Sequence, residues 1–196
     1  MPPAKGAEGS NMVIKDVPFM LKDGREALLR SPREEDIEST LEYLVVSAGE
    51  TEYILRYPEE CSKYTAESEK VLFEQKNKSP DAAVIMCIVD GKVAGNCEIA
   101  FSQNLKTRHR ASIAIALISE FWNEGIGTKM LQEMIRLAKD REYVTQIELD
   151  VVEGNSRARH LYEKMGFRIT GVRPNAIRLK NGTFLNEYMM AREINR

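Results

Sequence analysis

The spacing of apolar residues changes period along the chain, and each change marks a boundary. Ala27–Arg30 is a short apolar run that reads as a strand feeding a helix. Ser31 stands as the N-cap, Pro32 at the first helical position and Glu34 three residues past the cap, the spacing of a capping box. Ile37, Leu41, Leu44 and Val45 then recur at helical spacing, which predicts a helix to about Ala48 with one packing face. Gly49–Tyr64 has no period and carries Tyr53, Tyr57 and Tyr64, so it reads as a loop, and Ala66–Asn77 is helical again.

From Ala82 the period shortens to that of strands. AAVIMCIVD and KVAGNCEIAF flank Asp90-Gly91, which predicts a hairpin with a tight turn. RASIAIALI, Arg110–Ile118, is apolar enough to suggest burial on both faces. Gly125–Lys139 places Ile126, Met130, Met134, Leu137 and Ala138 on one side of a helix. Gln146–Val152 reads as a strand, Asn155–Met165 as a helix and Phe167–Val172 as a strand, and Asn181-Gly182 marks a closing hairpin. An antiparallel run of strands followed by strand–helix alternation predicts an α+β fold, a mixed central sheet with helices on both faces.

Composition narrows the class. The 196 residues suit one domain, expected over residues 25–196, with residues 1–24 a disordered tail opening on MPPAKGAEGSNM. With 28 Lys+Arg against 30 Asp+Glu the net charge is −2, which gives no basic footprint for nucleic acid or an anionic membrane. No apolar run approaches the 18 residues of a membrane span. Cys61, Cys87 and Cys97 have no CxxC spacing and suggest a reduced, cytoplasmic protein with no metal site.

Chemistry concentrates at ISEFWNEGIGTKML, where a strand enters a helix through Gly125-x-Gly127. Free backbone N–H groups and the positive end of a helix dipole make such an entrance an anion cradle. It is neither a Walker A loop, since Lys129 is out of register, nor a dinucleotide fingerprint, since Met130 fills the third glycine position. About 30 residues on, NSRARHLYEKMGF follows the next strand. Asn155 caps its helix, Gly166 ends it, and Tyr162 lies seven residues past Asn155, two turns along the same side.

With both segments in register, the chain from Ala27 onward resembles the GNAT superfamily of acetyl-CoA-dependent N-acetyltransferases, in particular the branch of ribosomal-protein-alanine and small-amine acetyltransferases. WNEGIG resembles the family's pyrophosphate loop and NSRARHLYEKMGF its Asn-to-Tyr segment. The resemblance implies that the parallel strands Arg110–Ile118 and Gln146–Val152 splay, and that the pantetheine arm lies between them against backbone at Leu117, Ile118 and Ser119. It implies a pyrophosphate on the loop Trp122, Asn123, Glu124, Gly125, Ile126, Gly127 and Thr128, with Asn155 reaching the pantetheine. Trp122 stands where the family usually has Gln or Arg, and Glu124 where a basic residue is common. Lys129, Arg157 and Arg159 are then the candidates to supply positive charge.

The implied reaction is attack of an amine on the thioester, with Tyr162 as general acid and a backbone N–H near Leu117 facing the oxyanion. Two residues are candidate bases. Glu98 sits on a strand between Cys97 and Ile99, where an apolar setting raises a carboxylate pKa, and His109 lies between two arginines that disfavour its charged form. Glu50, Glu52, Glu59 and Glu60 with Tyr53 and Tyr57 suit a cationic acceptor, either a small-molecule amine or a protein N-terminus, and Asn186 and Glu187 are further candidates. The late hairpin offers a homodimer edge. Trp122 and Glu124 keep one alternative open, a non-catalytic CoA-binding module on the same fold.

Overall fold

The computed structural model describes residues 11–194. In chain order the elements are β1 (Val17–Met20), β2 (Glu26–Arg30), α1 (Ile37–Gly49), α2 (Ala66–Lys78), β3 (Ala82–Val89), β4 (Lys92–Phe101) and β5 (Arg110–Leu117). They continue with α3 (Ile126–Lys139), β6 (Gln146–Val152), α4 (Ser156–Lys164), β7 (Arg168–Arg178) and β8 (Phe184–Glu193). The strands form one sheet in the order β1-β2-β3-β4-β5-β6-β8-β7. Among the described residues only β5 and β6 are parallel; every other neighbouring pair runs antiparallel. The mixed, mostly antiparallel sheet follows the strand pattern, because tight turns such as Asp90-Gly91 join antiparallel neighbours whereas α3 carries the chain across to a parallel one.

Alternation along the strands sends side chains to two helical layers. On one face Ile37 and Tyr43 of α1 and Phe73 of α2 pack on Met86 and Val93. On the other, Met130, Leu131 and Met134 of α3 and Tyr162 of α4 join a larger cluster with Ile85, Cys97, Ile99, Ile113 and Ile147. All three cysteines are buried and free. No helix among the described residues is long and apolar enough to cross a membrane.

Three local expectations change. Residues 1–10 of the expected tail lie outside the described residues, but the stretch to residue 24 is not all tail: β1 pairs with β2, and Ile14 and Leu21 are buried. The start of α1 is not capped by Ser31, whose hydroxyl instead accepts the Ile14 N–H. Asp36 stands at the N-cap position, where its carboxylate closes the preceding 3-10 turn by accepting the Arg33 N–H (2.7 Å) and takes a bidentate pair from buried Arg30 (2.6 and 2.8 Å). And β5 is buried on one face only. Arg110, Ser112 and Ala114 are exposed, because α1 and α2 cover the sheet over β3 and β4 and leave the same face of β5, β6 and β8 open.

Candidate active site

The parallel pair holds together at only three register positions, Arg110↔Gln146, Ala111↔Ile147 and Ser112↔Glu148. Beyond them β5 stays with β4 as far as Leu117 and β6 stays with β8 as far as Val152, so a wedge-shaped gap opens. The Ser102 N–H donates to the Arg110 carbonyl and the Ile118 N–H to the Ala94 carbonyl, which assigns the even residues of β5 to the β4 ladder. The odd residues therefore point their N–H and C=O the other way. His109 and Ala111 use theirs on the β6 side and the Ile113 N–H completes the Ser112↔Glu148 pairing, whereas the Ile113 carbonyl and the N–H and C=O of Ile115 and Leu117 aim away from β4 past the last paired position. Backbone of this kind calls for a strand-like partner.

Above the gap lies the glycine loop. Asn123 (φ 69°) and Gly125 (φ 93°) are left-handed, and Gly125 is the N-cap of α3, a conformation that favours glycine. Lys129 is the first N–H of the entrance to find a carbonyl, that of Gly125 (3.1 Å). The amides before it stand free to hold an anion at the positive end of a 14-residue helix. Gly127 serves packing: a Cβ there would meet Leu161 Cδ2 at 2.8 Å, so glycine lets α3 lie close to α4.

The two departures in this loop are resolved by geometry. Glu124 turns its carboxylate to the Asp23 N–H (3.0 Å) in the β1–β2 turn, leaving its own amide at the cradle. Trp122 donates its indole N–H to the Leu117 carbonyl (3.0 Å) and carries the Arg157 guanidinium on its ring at 3.7 Å. Arg157 forms no salt bridge among the described residues, so its charge is free. Arg159 is committed to Glu163 (2.8 Å) and the Tyr188 ring and drops out as a phosphate ligand.

Two cavities meet at the gap. One of about 320 Å³ runs from Trp122 and Arg157 past Leu117 to Tyr162, and the other, about 670 Å³, opens on the uncovered face of β5, β6 and β8. Tyr53, Ile54, Ile115, Asn155 and Tyr162 line both. Asn155 caps α4 by accepting the Ala158 N–H (3.3 Å), and Tyr162, buried edge-on to Phe167, reaches the shared wall as its spacing from Asn155 predicts. Burial pushes the Tyr162 phenol well above its ordinary pKa, so it stays protonated and able to donate.

Neither candidate base joins them. Glu98 faces away from Cys97 and Ile99, on the side under α2, where Lys76 holds the carboxylate at 2.5 Å, and Glu98 lines neither cavity. His109 is exposed before the first residue of β5, at the opposite end of the strand from the glycine loop, and also lines neither. The carboxylates that face the larger cavity are Glu148, Asp150 and Glu187. The signal for the first two was present in QIELDVV, whose polar residues alternate and so share one face. Arg110 beside Glu148 holds that carboxyl below the usual carboxylate range.

The Gly49–Tyr64 stretch crosses the mouth of the gap and is fastened on both sides. Glu50 binds Ser119 at the end of β5, the Tyr53 hydroxyl rests against Gly154 after β6, and Tyr57 and Glu59 meet Lys180 in the final hairpin. The Ser119 N–H and the Leu117 carbonyl are thus engaged within the protein. The backbone left open to a ligand is the Ile113 carbonyl, Ile115 and the Leu117 N–H, a correction to the expected Leu117–Ser119 contact.

A splayed parallel pair, an anion cradle at its open end and a protonated phenol between two cavities make up the candidate site. Residues 49–167 match the Acetyltransferase (GNAT) family, and the chain belongs to that family. It is 32% identical over 113 residues (58% of this chain, 69% of the relative) to the L-amino acid N-acetyltransferase AaaT of Escherichia coli strain K12. To an N-alpha-acetyltransferase of Sulfurisphaera tokodaii it is 28% identical over 156 residues, 75% of this chain and 83% of the relative. An acetyltransferase of GNAT family from Streptococcus pneumoniae superposes with a TM-score of 0.78 at 25% identity, covering 86% of this chain and 99% of that one. The protein is therefore an acetyl-CoA-dependent acyltransferase of the N-acetyltransferase type.

Proposed function

We propose that the protein transfers an acetyl group from acetyl-CoA to a primary amine, a small molecule or a protein N-terminus, by direct attack of the amine, with Tyr162 as general acid. The observation that carries this reading is the position of Tyr162 in the wall common to both cavities. The free amides from Glu124 to Thr128 suit the pyrophosphate, with Arg157 on Trp122 adding charge, and Asn155 and the open backbone of Ile115 suit the pantetheine arm. When bound, acetyl-CoA supplies the electrophilic carbonyl and the sulfur leaving group.

The remaining chemistry belongs to the chain. The Leu117 N–H points into the gap and serves as donor to the carbonyl oxygen. The acceptor ammonium first loses a proton to solvent in the larger cavity to give the neutral amine; as the N–C bond forms and the C–S bond breaks, Tyr162 gives its proton to the sulfur, the nitrogen gives its second proton to solvent, and Tyr162 regains its own from there. The two named relatives support an amine acceptor, since one acts on L-amino acids and the other is an N-alpha-acetyltransferase.

The test is thiol release from acetyl-CoA with a mixed panel of amino acids, amino-acid amides, short peptides and simple amines, alongside calorimetric titration with CoA. Release that depends on the amine is expected. The reading fails if CoA does not bind, or if CoA binds and no amine on the panel stimulates release.

A further inference from the structure

Five charged side chains line the larger cavity: Arg110, Glu148, Asp150, Arg173 and Glu187. Glu148 is fully occupied, taking Arg110 on both oxygens (Nε at 2.6 Å) and Gln146 at 2.5 Å. Glu187 is nearly buried, its side chain 13% exposed, and is held by Arg173. Asp150 is different. Its Oδ2 has one long contact, to the same Arg173 nitrogen at 3.3 Å, its Oδ1 accepts nothing among the described residues, and 41% of its side chain is exposed. Along β6 it is the first charged residue past Ser112↔Glu148, the last paired position, so it stands where the gap has opened toward Tyr162.

Three carboxylates against two guanidiniums leave this cavity one negative charge in excess. The unpaired share of that charge is on Asp150. A cation completes the set, whereas an anion entering beside it meets net repulsion from the excess carboxylate.

We infer that Asp150 receives the acceptor's ammonium group, and that the acceptor is an amine whose neighbouring carboxyl is masked as an amide or absent, as at a peptide N-terminus, rather than a free amino acid. Arg173, bridging Glu187 and Asp150, positions the carboxylate. This assignment rests on the acetyl-transfer reading and narrows its acceptor class.

The experiment compares L-methioninamide, L-methionine and an alanine-headed tripeptide amide as acceptors for the wild type, Asp150→Asn and Asp150→Glu, with CoA affinity measured for each. The wild type is expected to favour methioninamide over methionine by about tenfold or more in kcat/KM. Asp150→Asn should raise the KM for methioninamide by about tenfold and shrink the preference, with CoA affinity unchanged, and Asp150→Glu should recover part of it. Indifference to the carboxyl group, preference for methionine, an unchanged KM in Asp150→Asn, or rejection of all three amines while CoA binds would each overturn the assignment. Failure to bind CoA would instead count against the acetyl-transfer reading itself.

Discussion

Glu50 and Ser119 are 69 residues apart, yet the Glu50 carboxylate takes both the Ser119 N–H and its hydroxyl, each at 2.6 Å. The contact fastens the segment crossing the gap to the end of β5, two residues past Leu117. Thr51, Tyr53 and Ile54 of that segment wall the smaller cavity, so the segment's order and the shape of that cavity are coupled. In Glu50→Ala, amide exchange across residues 51–57 should accelerate by about fivefold or more, since two exposed charge-assisted hydrogen bonds are lost. The KM for acetyl-CoA should rise more than kcat falls. Exchange as slow as in the wild type would show that the other fastenings hold the segment unaided.

Tyr162→Phe separates the phenol's chemistry from its packing. The ring remains buried against Phe167 and only the hydroxyl facing the cavities is lost. Loss of a general acid costs about 10²- to 10⁴-fold in kcat. CoA affinity and thermal stability should stay close to wild type, and steady-state kinetics paired with a thermal melt checks both. A kcat within threefold of wild type would remove the phenol from the proton path.

Much of this site was legible because its elements have short-range signatures. Gly125-x-Gly127 at a helix entrance, the two-turn spacing from Asn155 to Tyr162 and the alternation of QIELDVV each name a local geometry that the fold keeps. The base candidates failed for a tertiary reason. Alternation tells which face Glu98 takes but not that Lys76 of α2 covers it. For His109 the signal was at hand: the helix entrance follows the C-terminal end of β5 and His109 precedes its first residue, roughly 25 Å of strand away. The uniform burial expected of β5 failed likewise, since an apolar run cannot report that a helix layer stops short of it.

Trp122 is the sole tryptophan in the chain and its ring carries the Arg157 guanidinium, which makes the stack observable. A ligand phosphate drawing on that charge changes the indole's surroundings, so CoA should perturb the intrinsic fluorescence in a saturable way. Removing the guanidinium in Arg157→Ala should weaken CoA binding by about three- to thirtyfold, the range of a partly exposed stacked cation. Dephospho-CoA, lacking only the ribose phosphate, should lose less from the same change if Arg157 serves that phosphate. Equal losses for the two ligands would put its charge at the pyrophosphate.

Stability should carry an alkaline signature from Tyr43. This α1 residue is buried under the sheet and donates to Asn96 Oδ1 (2.8 Å) and accompanies that contact with one to the Ala116 carbonyl (3.2 Å). Burial pushes its phenol up to about 12, whereas an unfolded tyrosine titrates near 10. Below about pH 10 both states hold the proton and the contribution to stability is complete. As pH rises from 10 toward 12 the unfolded chain releases its proton first, so stability falls, by at most about 1.4 kcal/mol per pH unit for this group. Tyr162 and the buried thiols of Cys87 and Cys97 act in the same direction, which makes the wild-type curve steep. Tyr43→Phe should cost about 1–2 kcal/mol at pH 8, where a buried hydrogen bond is lost, and the deficit should shrink as the pH climbs. Urea melts of the two proteins between pH 8 and 11.5 measure the difference directly. Parallel curves across that range would mean that the Tyr43 hydroxyl titrates alike in folded and unfolded chains.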